Sequence, residues 1–166
     1  MLFRAISLFI IIATNVYSEE IPIITITAPS KKPQSISTVG SSVTIIDEKF
    51  LSNSTEHFLG DVLNTSSTSA NFFQSGGHGT ASAIQLRGMP KRYSTVYIDG
   101  VKMSDPSSVS GDFDFNNILT SQVSRVEILK GNQSSIYGSG AIGGTIHIFT
   151  KQGKSCLLYT SDAADD

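Results

Sequence analysis

Three histidines are the residues of this chain best suited to bind a transition metal, and their positions do not favour a shared site. His57 lies in a segment predicted to be helical, His78 in a glycine-rich loop and His147 in a predicted strand. Zinc sites use converging His and Cys ligands, often paired at short spacing. No such His pair occurs, and the single cysteine, Cys156, stands near the C-terminus. The sequence therefore predicts no metal site.

Asp105, Asp112 and Asp114 lie close together in one polar segment. Their oxygens could bind calcium, but the spacing is not that of an EF-hand, so solvated loop acids are favoured and the role of Asp112 and Asp114 stays open. Many serines are present, but none occupies the G-x-S-x-G pattern of a nucleophile elbow. The residues predict a protein that is not an enzyme.

The segment Gly138–Gly143 matches the letters of the dinucleotide motif G-x-G-x-x-G. That motif binds pyrophosphate only when it follows a strand closely and opens a helix. Here the next segment, Thr145–Phe149, has the pattern of a strand. We therefore interpret the glycines as backbone that turns sharply or lies against another part of the protein.

The composition is typical of β-structure with many turns. Serine and threonine together supply 40 of 166 residues (26 Ser and 14 Thr), whereas charged residues supply 16%, below the ~25% usual for soluble domains. Apolar residues make up 39% and the net charge is −2. These values exclude a disordered tail and give no electrostatic footprint for nucleic acid.

Both ends of the chain are predicted to lie outside the folded domain. Residues 1–18 resemble a secretory signal peptide, with Arg4 before the apolar run Ala5–Ala13 and small residues at a plausible cleavage site. The apolar run is too short for a membrane anchor. Residues 155–166 share no pattern with the preceding chain and are interpreted as a non-native tail.

The segment 19–34 is predicted to be an extended arm. Pro22, Pro29 and Pro33 exclude it from a central strand, yet Ile23–Ala28 is rich in β-branched residues. Two interpretations stay open at this point: a flexible leader, or a docking segment that adds to the sheet of a partner.

Residues 35–154 form one α+β domain in this interpretation, a small mixed β-sheet with short helices. A helical turn is expected over Asp47–Ser52, and a longer helix that Asn53 opens with Glu56 in a capping box. A tight turn is expected at Asp99-Gly100. Strands are predicted at Ser41–Ile46, Ala70–Gln74, Ala83–Arg87, Ser94–Ile98, Val101–Met103, Val123–Leu129 and Gly144–Thr150, and we expect the central ones, from Ala70 to Leu129, to form one persistent sheet.

Three segments in this order resemble the plug domain of TonB-dependent outer-membrane receptors. Ile84–Gly88 (IQLRG) is similar to the family's I-x-[IL]-R-G, and Val96–Val101 (VYIDGV) to its V-x-[IV]-D-G-V hairpin. The longest match is VEILKG at Val126–Gly131, followed by SIYGSGAIGG at Ser135–Gly144. The pattern of the loops Ser75–Thr80 and Ser104–Asn117 resembles cobalamin receptors more than ferric siderophore receptors. Lys130 stands where the family usually has arginine, and Asn132 where proline is common.

The resemblance implies a plug lodged in a 22-stranded barrel, which is the chain's own C-terminal β-barrel. Since each spanning strand takes about 9–11 residues, a barrel needs roughly 200 more, and the sequence is expected to be an N-terminal fragment. The implied location is the cell outer membrane. The implied partners are TonB, the barrel and a ligand, cobalamin or an iron–siderophore, with no cofactor.

The resemblance also assigns the site residues. The TonB box corresponds to Ile24, Thr25, Ile26, Thr27 and Ala28. Arg87 and Lys130 are expected to pair with glutamates of the barrel. The loops Ser75–Thr80 and Ser104–Asn117 are expected to touch the ligand, through Ser75, Gly76, Gly77, His78, Ser107, Ser108 and Ser110.

The implied function is gating of the barrel and binding of a scarce nutrient chelate for energy-coupled uptake. A second interpretation, a stand-alone periplasmic binding module, would need no barrel. A colicin-like or enzymatic role would need a catalytic constellation, which the sequence lacks.

Overall fold

The computed structural model of the chain describes residues 25–26, 32, 34–36, 39–67, 69–108, 111, 113–115 and 117–152. The signal peptide, the C-terminal tail, Ile24, Thr27, Ala28, Ser110 and Asp112 lie outside the described residues. The strands found are β1 (Thr25–Ile26), β2 (Gln34–Ser35), β3 (Ser42–Ile46), β4 (Ala70–Gln74), β5 (Ser82–Leu86), β6 (Ser94–Ile98), β7 (Val101–Met103), β8 (Val123–Lys130) and β9 (Gly144–Thr150), and the α-helices are α1 (Glu48–Asn53), α2 (Leu59–Ser66) and α3 (Ser134–Tyr137).

The main sheet has five strands in the order β3-β8-β9-β6-β7. It is mixed, as predicted, because β6 runs parallel to β9 while the other neighbours are antiparallel. The turn between β6 and β7 is also as predicted: Asp99 has φ 48° and Gly100 φ 85°, the left-handed values of a tight hairpin turn.

The strands β4 and β5 form a separate two-stranded sheet, so the expectation of one sheet for all central strands is wrong. The β4–β5 hairpin instead turns Ala70, Ile84 and Leu86 into the core that covers one face of the main sheet. Its apolar side chains are buried by packing on the sheet rather than by extending it.

The helix α1 agrees with the helical turn expected over Asp47–Ser52 to within one residue, whereas α2 begins later than predicted. Asp47 caps α1, since its carboxylate accepts the Phe50 N–H at 2.8 Å. Asn53 ends this helix, so the predicted capping box with Glu56 does not form, and α2 begins at Leu59 without a side-chain cap.

A long-range contact fixes the start of α2. Phe58 makes an antiparallel bridge with Leu119, and the Leu59 N–H donates to the Ile118 carbonyl at 3.0 Å. These pairings hold the segment before α2 extended. His57, predicted to be helical, therefore lies in the connection between α1 and α2.

The core fills the space between one face of the main sheet, α2 and the β4–β5 hairpin. On α2, Leu59, Val62 and Leu63 have no exposed area, as their helical spacing predicts. Phe115 is buried with them although it belongs to a loop. The other members of this core include Ile46, Leu51, Val96, Val123, Val126, Ile128, Ile146 and Ile148.

The glycine-rich segment before β9 lies against the rest of the domain, in agreement with the sequence interpretation. The Gly143 N–H donates to the Tyr93 carbonyl at 2.9 Å, and the Gly131 N–H donates to the Gly143 carbonyl at 3.1 Å. The strand β9, not a helix, follows the G-x-G-x-x-G letters. The helix N-terminus that a pyrophosphate site would use is therefore not found at this position.

Among the glycines of this segment, Gly144 is the one at which an added side chain would come closest to other atoms. Its φ is 145°, and a Cβ there would collide with the Leu129 carbonyl oxygen and approach Leu86 Cδ1 to 2.8 Å.

Among the described residues, no helix combines the length and the apolar character needed to cross a membrane.

Candidate ligand-binding and partner-binding sites

The loop Ser75–Thr80 is organised around one carbonyl group. The Gly77 carbonyl accepts hydrogen bonds from the Thr80 N–H at 3.2 Å, the Thr80 hydroxyl at 2.9 Å and the Gln74 amide at 2.8 Å. Gly79 has φ 91°, which glycine adopts without strain. The loop is therefore a compact turn between β4 and β5 whose residues stay exposed.

His78 is held at the tip of this loop by an aromatic contact. Its ring stacks on Phe58, with 4.5 Å between centroids and 20° between planes. The side chain of His78 remains exposed. Because the ring is positioned in advance, the loop can present an imidazole to a ligand with little further ordering.

The second loop, after β7, contains a local turn at Asp105. The Asp105 carboxylate accepts the Ser107 N–H at 2.8 Å and the Ser107 hydroxyl at 2.6 Å. These hydrogen bonds, first the one from the Ser107 side chain and then the one from its backbone, lower the pKa of Asp105. Ser107 and Ser108 thus belong to an ordered turn and not to a loose chain.

Ser82, the first residue of β5, holds the second loop close to the end of the first. Its hydroxyl donates to Asp114 at 2.6 Å and accepts the Phe115 N–H at 3.0 Å. Phe115 inserts into the core and meets Phe113 edge to face at 4.9 Å between centroids. Asp114 therefore acts as an anchor of the loop, a role that the sequence left open because Ser82 is remote along the chain.

Arg87 lies directly after β5 in a left-handed conformation, with φ 55°. The backbone N–H of Arg87 donates to the Ser69 carbonyl at 2.8 Å. Its guanidinium passes over the backbone of Gly131, so that a Cβ at Gly131 would meet Nη1 at 3.2 Å. The side chain of Arg87 is exposed at this position.

Lys130, the last residue of β8, is the neighbour of Arg87. Partial burial, followed by the charge of Arg87, lowers the pKa of Lys130. The ion pairs found among the described residues involve Arg125, Glu127, Glu48 and Lys151, and neither Arg87 nor Lys130. The structure thus brings both predicted pairing residues near each other as two like charges.

The described part of the predicted box is a short strand. Thr25 pairs with Ser35 and Ile26 with Gln34 in an antiparallel arrangement. The box segment is therefore extended at these two residues.

A polar and aromatic cluster on the other face of the main sheet has no counterpart among the predicted site residues. The His147 ring stacks on Tyr97 at 4.8 Å and meets Tyr137 at 5.0 Å. Glu127 is opposite His147 in the β8–β9 register and has no exposed area. The alternation of Thr145 and His147 with Ile146 and Ile148 along β9 is the sequence pattern from which this cluster could have been predicted.

Burial governs the titration of this cluster. It raises the pKa of Tyr97, and it raises the pKa of Tyr137 to about 12, with Tyr97 and Glu127 contributing through their charges. Arg125 lies 2.9 Å from Glu127 as an ion pair without hydrogen-bond geometry, and its guanidinium covers the Phe149 ring at 4.6 Å. The ring contacts of Tyr137 with Tyr97 and His147 attach α3 to the sheet.

The described residues contain no group of three His, Cys, Asp or Glu side chains placed to hold a metal ion. The site geometry instead consists of two loops, a pair of cations and an extended arm. Together with a five-stranded mixed sheet, these features define a plug-type domain.

Residues 35–145 match the TonB-dependent Receptor Plug Domain family. Because this match covers more than half of the chain, the chain belongs to that family. The vitamin B12 transporter BtuB of Photobacterium profundum is 35% identical over 94 residues, which are 55% of this chain and 15% of the transporter.

Two solved structures have a similar fold. A mutant of the ferric enterobactin receptor PfeA from Pseudomonas aeruginosa, in complex with enterobactin, has a TM-score of 0.53 and 26% identity over 69% of this chain and 18% of its own. The ferric yersiniabactin uptake receptor FyuA from Yersinia pestis has a TM-score of 0.51 and 30% identity over 68% of this chain and 17% of its own. The chain spans less than a fifth of each of these relatives.

Proposed function

We propose that the chain is the plug of an outer-membrane transporter that takes up a scarce nutrient chelate, cobalamin or a ferric siderophore, with energy delivered by TonB. In this proposal the plug closes the pore of a C-terminal β-barrel and contributes to ligand binding. It performs no covalent chemistry. The supporting observation is membership of the plug family, on a fold in which Ser82, two residues after the first loop, holds the second loop in place.

The loops are the proposed ligand contacts. Ser75, Gly76, Gly77 and His78 belong to the first loop, and Ser107, Ser108 and Ser110 to the second. The Ser82–Asp114 hydrogen bond supports a joint role, because it holds the bases of the two loops side by side. The relatives include a vitamin B12 transporter and ferric siderophore receptors, so both ligand classes stay within the proposal.

Arg87 and Lys130 are the proposed contacts with the barrel. Arg87 is exposed and Lys130 is half-buried, and two neighbouring cations repel each other unless an anion lies beside them. Glutamates of the barrel lumen would supply that compensation.

The box strand is the proposed contact with TonB, through backbone pairing. Proline removes the N–H donor that such pairing needs. In the full-length receptor, Ile26→Pro is expected to abolish uptake while ligand binding stays intact, and Ile26→Val, which keeps the donor, is expected to transport normally. Normal uptake by Ile26→Pro would reject the assignment.

A second candidate is a stand-alone periplasmic binding module. The observation in its favour is the core, in which Leu59, Val62, Leu63, Val126 and Ile128 have no exposed area. Purified Glu19–Lys154 that binds cobalamin or a ferric siderophore as tightly as the full-length protein would favour this candidate.

A further inference from the structure

Ser82 is a nearly buried polar residue at the neck of the first loop (Ser75–Thr80). It is the first residue of β5 and pairs with Gln74, the last residue of β4. Beside this pair, the Ser75 N–H donates to the Ala81 carbonyl at 3.1 Å. Ser82 is 7% exposed, so its hydroxyl points into the protein at the place where the first loop leaves the β4–β5 hairpin.

The hydroxyl of Ser82 makes two hydrogen bonds, and both reach the second loop (Ser104–Asn117). It donates to the Asp114 carboxylate at 2.6 Å and accepts the Phe115 N–H at 3.0 Å. A hydroxyl can fill both roles at once, because it has one donor and two acceptor lone pairs. Without the hydroxyl, the buried N–H of Phe115 would lose this acceptor, which is unfavourable.

Gln74, the strand partner of Ser82, continues the connection into the first loop. Its amide donates at 2.8 Å to the Gly77 carbonyl, around which the turn of that loop is organised. Two side-chain hydrogen bonds and one strand pair therefore connect Asp114 in the second loop with Gly77 in the first.

We propose that Ser82 is a positioning residue that fixes the second loop relative to the first, so that a ligand meets both loops in one prepared arrangement. This inference rests on the proposed function, since it takes the two loops to be ligand contacts. Ser82 acts through the loops and not on the ligand itself. Holding the loops in advance removes part of the ordering cost that ligand binding would otherwise include.

A Ser82 that only stabilises the fold makes a different prediction. In that case loss of the hydroxyl lowers the stability of the receptor, but each loop keeps its own share of the ligand affinity. If Ser82 positions the second loop, loss of the hydroxyl releases that loop, and further substitutions in it no longer change the affinity. The dependence of one substitution on another therefore separates the two roles.

The experiment measures ligand affinity of the full-length receptor by equilibrium binding. The probes are vitamin B12 and ferric enterobactin, and the one that the unchanged receptor binds is used for every variant. Ser82→Thr keeps a hydroxyl, whereas Ser82→Val has a methyl group in its place at nearly the same volume. Ser82→Ala removes the hydroxyl without adding volume and replaces Ser82→Val if valine does not fit.

Ser124→Ala is the matched control for the loss of a hydroxyl from a strand. The Ser124 hydroxyl donates to the Phe149 carbonyl at 2.9 Å, between β8 and β9 of the main sheet, and makes no contact with either loop. Its loss tests whether any missing side-chain hydrogen bond in the domain weakens ligand binding.

We expect the dissociation constant of Ser82→Val to be about tenfold higher than that of Ser82→Thr, and Ser124→Ala to stay within about twofold of the unchanged receptor. Ser107→Ala, in the second loop, should weaken binding when Ser82→Thr is present but change it less than about twofold when Ser82→Val is present. His78→Ala, in the first loop, should have the same effect in both.

Equal affinities of Ser82→Thr and Ser82→Val overturn the positioning role and leave the proposed function standing. An effect of Ser107→Ala that is the same with either residue at position 82 does so too, because the second loop then contributes without Ser82. Binding of neither probe by the unchanged receptor overturns the proposed function, and the positioning role with it.

Discussion

Arg87 and Lys130 place two positive charges at neighbouring positions on the ends of β5 and β8. Their family positions could be found from sequence, because each belongs to a recognisable motif. Their proximity could not, since it depends on the left-handed turn at Arg87 and on the bare backbone of Gly131 beneath the guanidinium.

We expect Arg87→Ala to loosen the plug in the full-length receptor. Truncating one member of a buried ion pair leaves the other charge uncompensated, at a cost of about 3–5 kcal/mol. Entry of a large antibiotic into cells that produce the variant should rise, and Arg92→Ala, which alters an exposed arginine, should not change it. Unchanged entry and unchanged stability would contradict a position of Arg87 against the barrel.

In the isolated domain, where no barrel carboxylate is present, the charge of Lys130 is expected to destabilise the fold. Its pKa is lowered in the fold, so the unfolded state binds the proton more tightly. Above the unfolded-state pKa of about 10.5, Lys130 is neutral in both states and does not reduce the free energy of unfolding. As the pH falls through the lower folded-state pKa, the lysine becomes charged and this stability is lost.

Lys130→Met should therefore raise the melting temperature of isolated Glu19–Lys154 at pH 7, and this gain should shrink as pH approaches ~10.5. Comparing the two proteins across this range cancels the opposing contribution of tyrosines, whose raised pKa values reduce stability at alkaline pH. A variant less stable than the parent at pH 7 would show that the lysine charge is already compensated.

At the scale of elements, the alternation of apolar residues was sufficient to predict the strands. The predicted and observed bounds of β3 to β9 differ by no more than a residue at either end. The start of α2 and the placement of the β4–β5 hairpin were not predictable in this way. Both depend on contacts between segments remote in sequence, the Phe58–Leu119 bridge and the packing of Ile84 and Leu86 on the main sheet.

The glycine-rich segment gives a test of these contacts. Gly144→Ala combines a positive φ with a collision against backbone, which cannot move aside as a side chain could. Strain and overpacking of this kind each cost about 1–3 kcal/mol, so a loss of at least ~2 kcal/mol in the free energy of unfolding is expected. Denaturant unfolding of the isolated domain measures it.

Gly40→Ala is the matched control, because a Cβ at that position meets no atom within 4 Å. Its free energy of unfolding should stay within about 0.5 kcal/mol of the parent. Equal stability of the two alanine variants would mean that β9 does not approach β8 as closely as described.

At the scale of the whole molecule, a polar composition and a buried core occur together with exposed apolar side chains. Serine and threonine are abundant, while large apolar side chains such as Phe73, Ile136 and Ile142 remain about 40% exposed. A plug in a polar lumen can have such a surface. The loops and the box were assigned through family motifs, whereas the buried cluster of Tyr97, Tyr137 and His147 was not assigned to any site from the sequence.

We expect the isolated domain to be marginally stable and unevenly protected. Amide hydrogen exchange on Glu19–Lys154 should be slowest in β8 and β9, which are central in the main sheet, and fastest in the arm and in the two loops. Uniform protection, with strong protection in the arm, would indicate an autonomous domain and favour the binding-module candidate.

Transport by the full-length protein in hosts with and without TonB tests the central claim most directly. Cells that produce the protein are given labelled cobalamin or a labelled ferric siderophore, and surface binding is separated from internal accumulation. The account predicts binding of one of these ligands in both hosts and accumulation only where TonB is present. Accumulation at the same rate in both hosts, or binding of neither ligand, would contradict it.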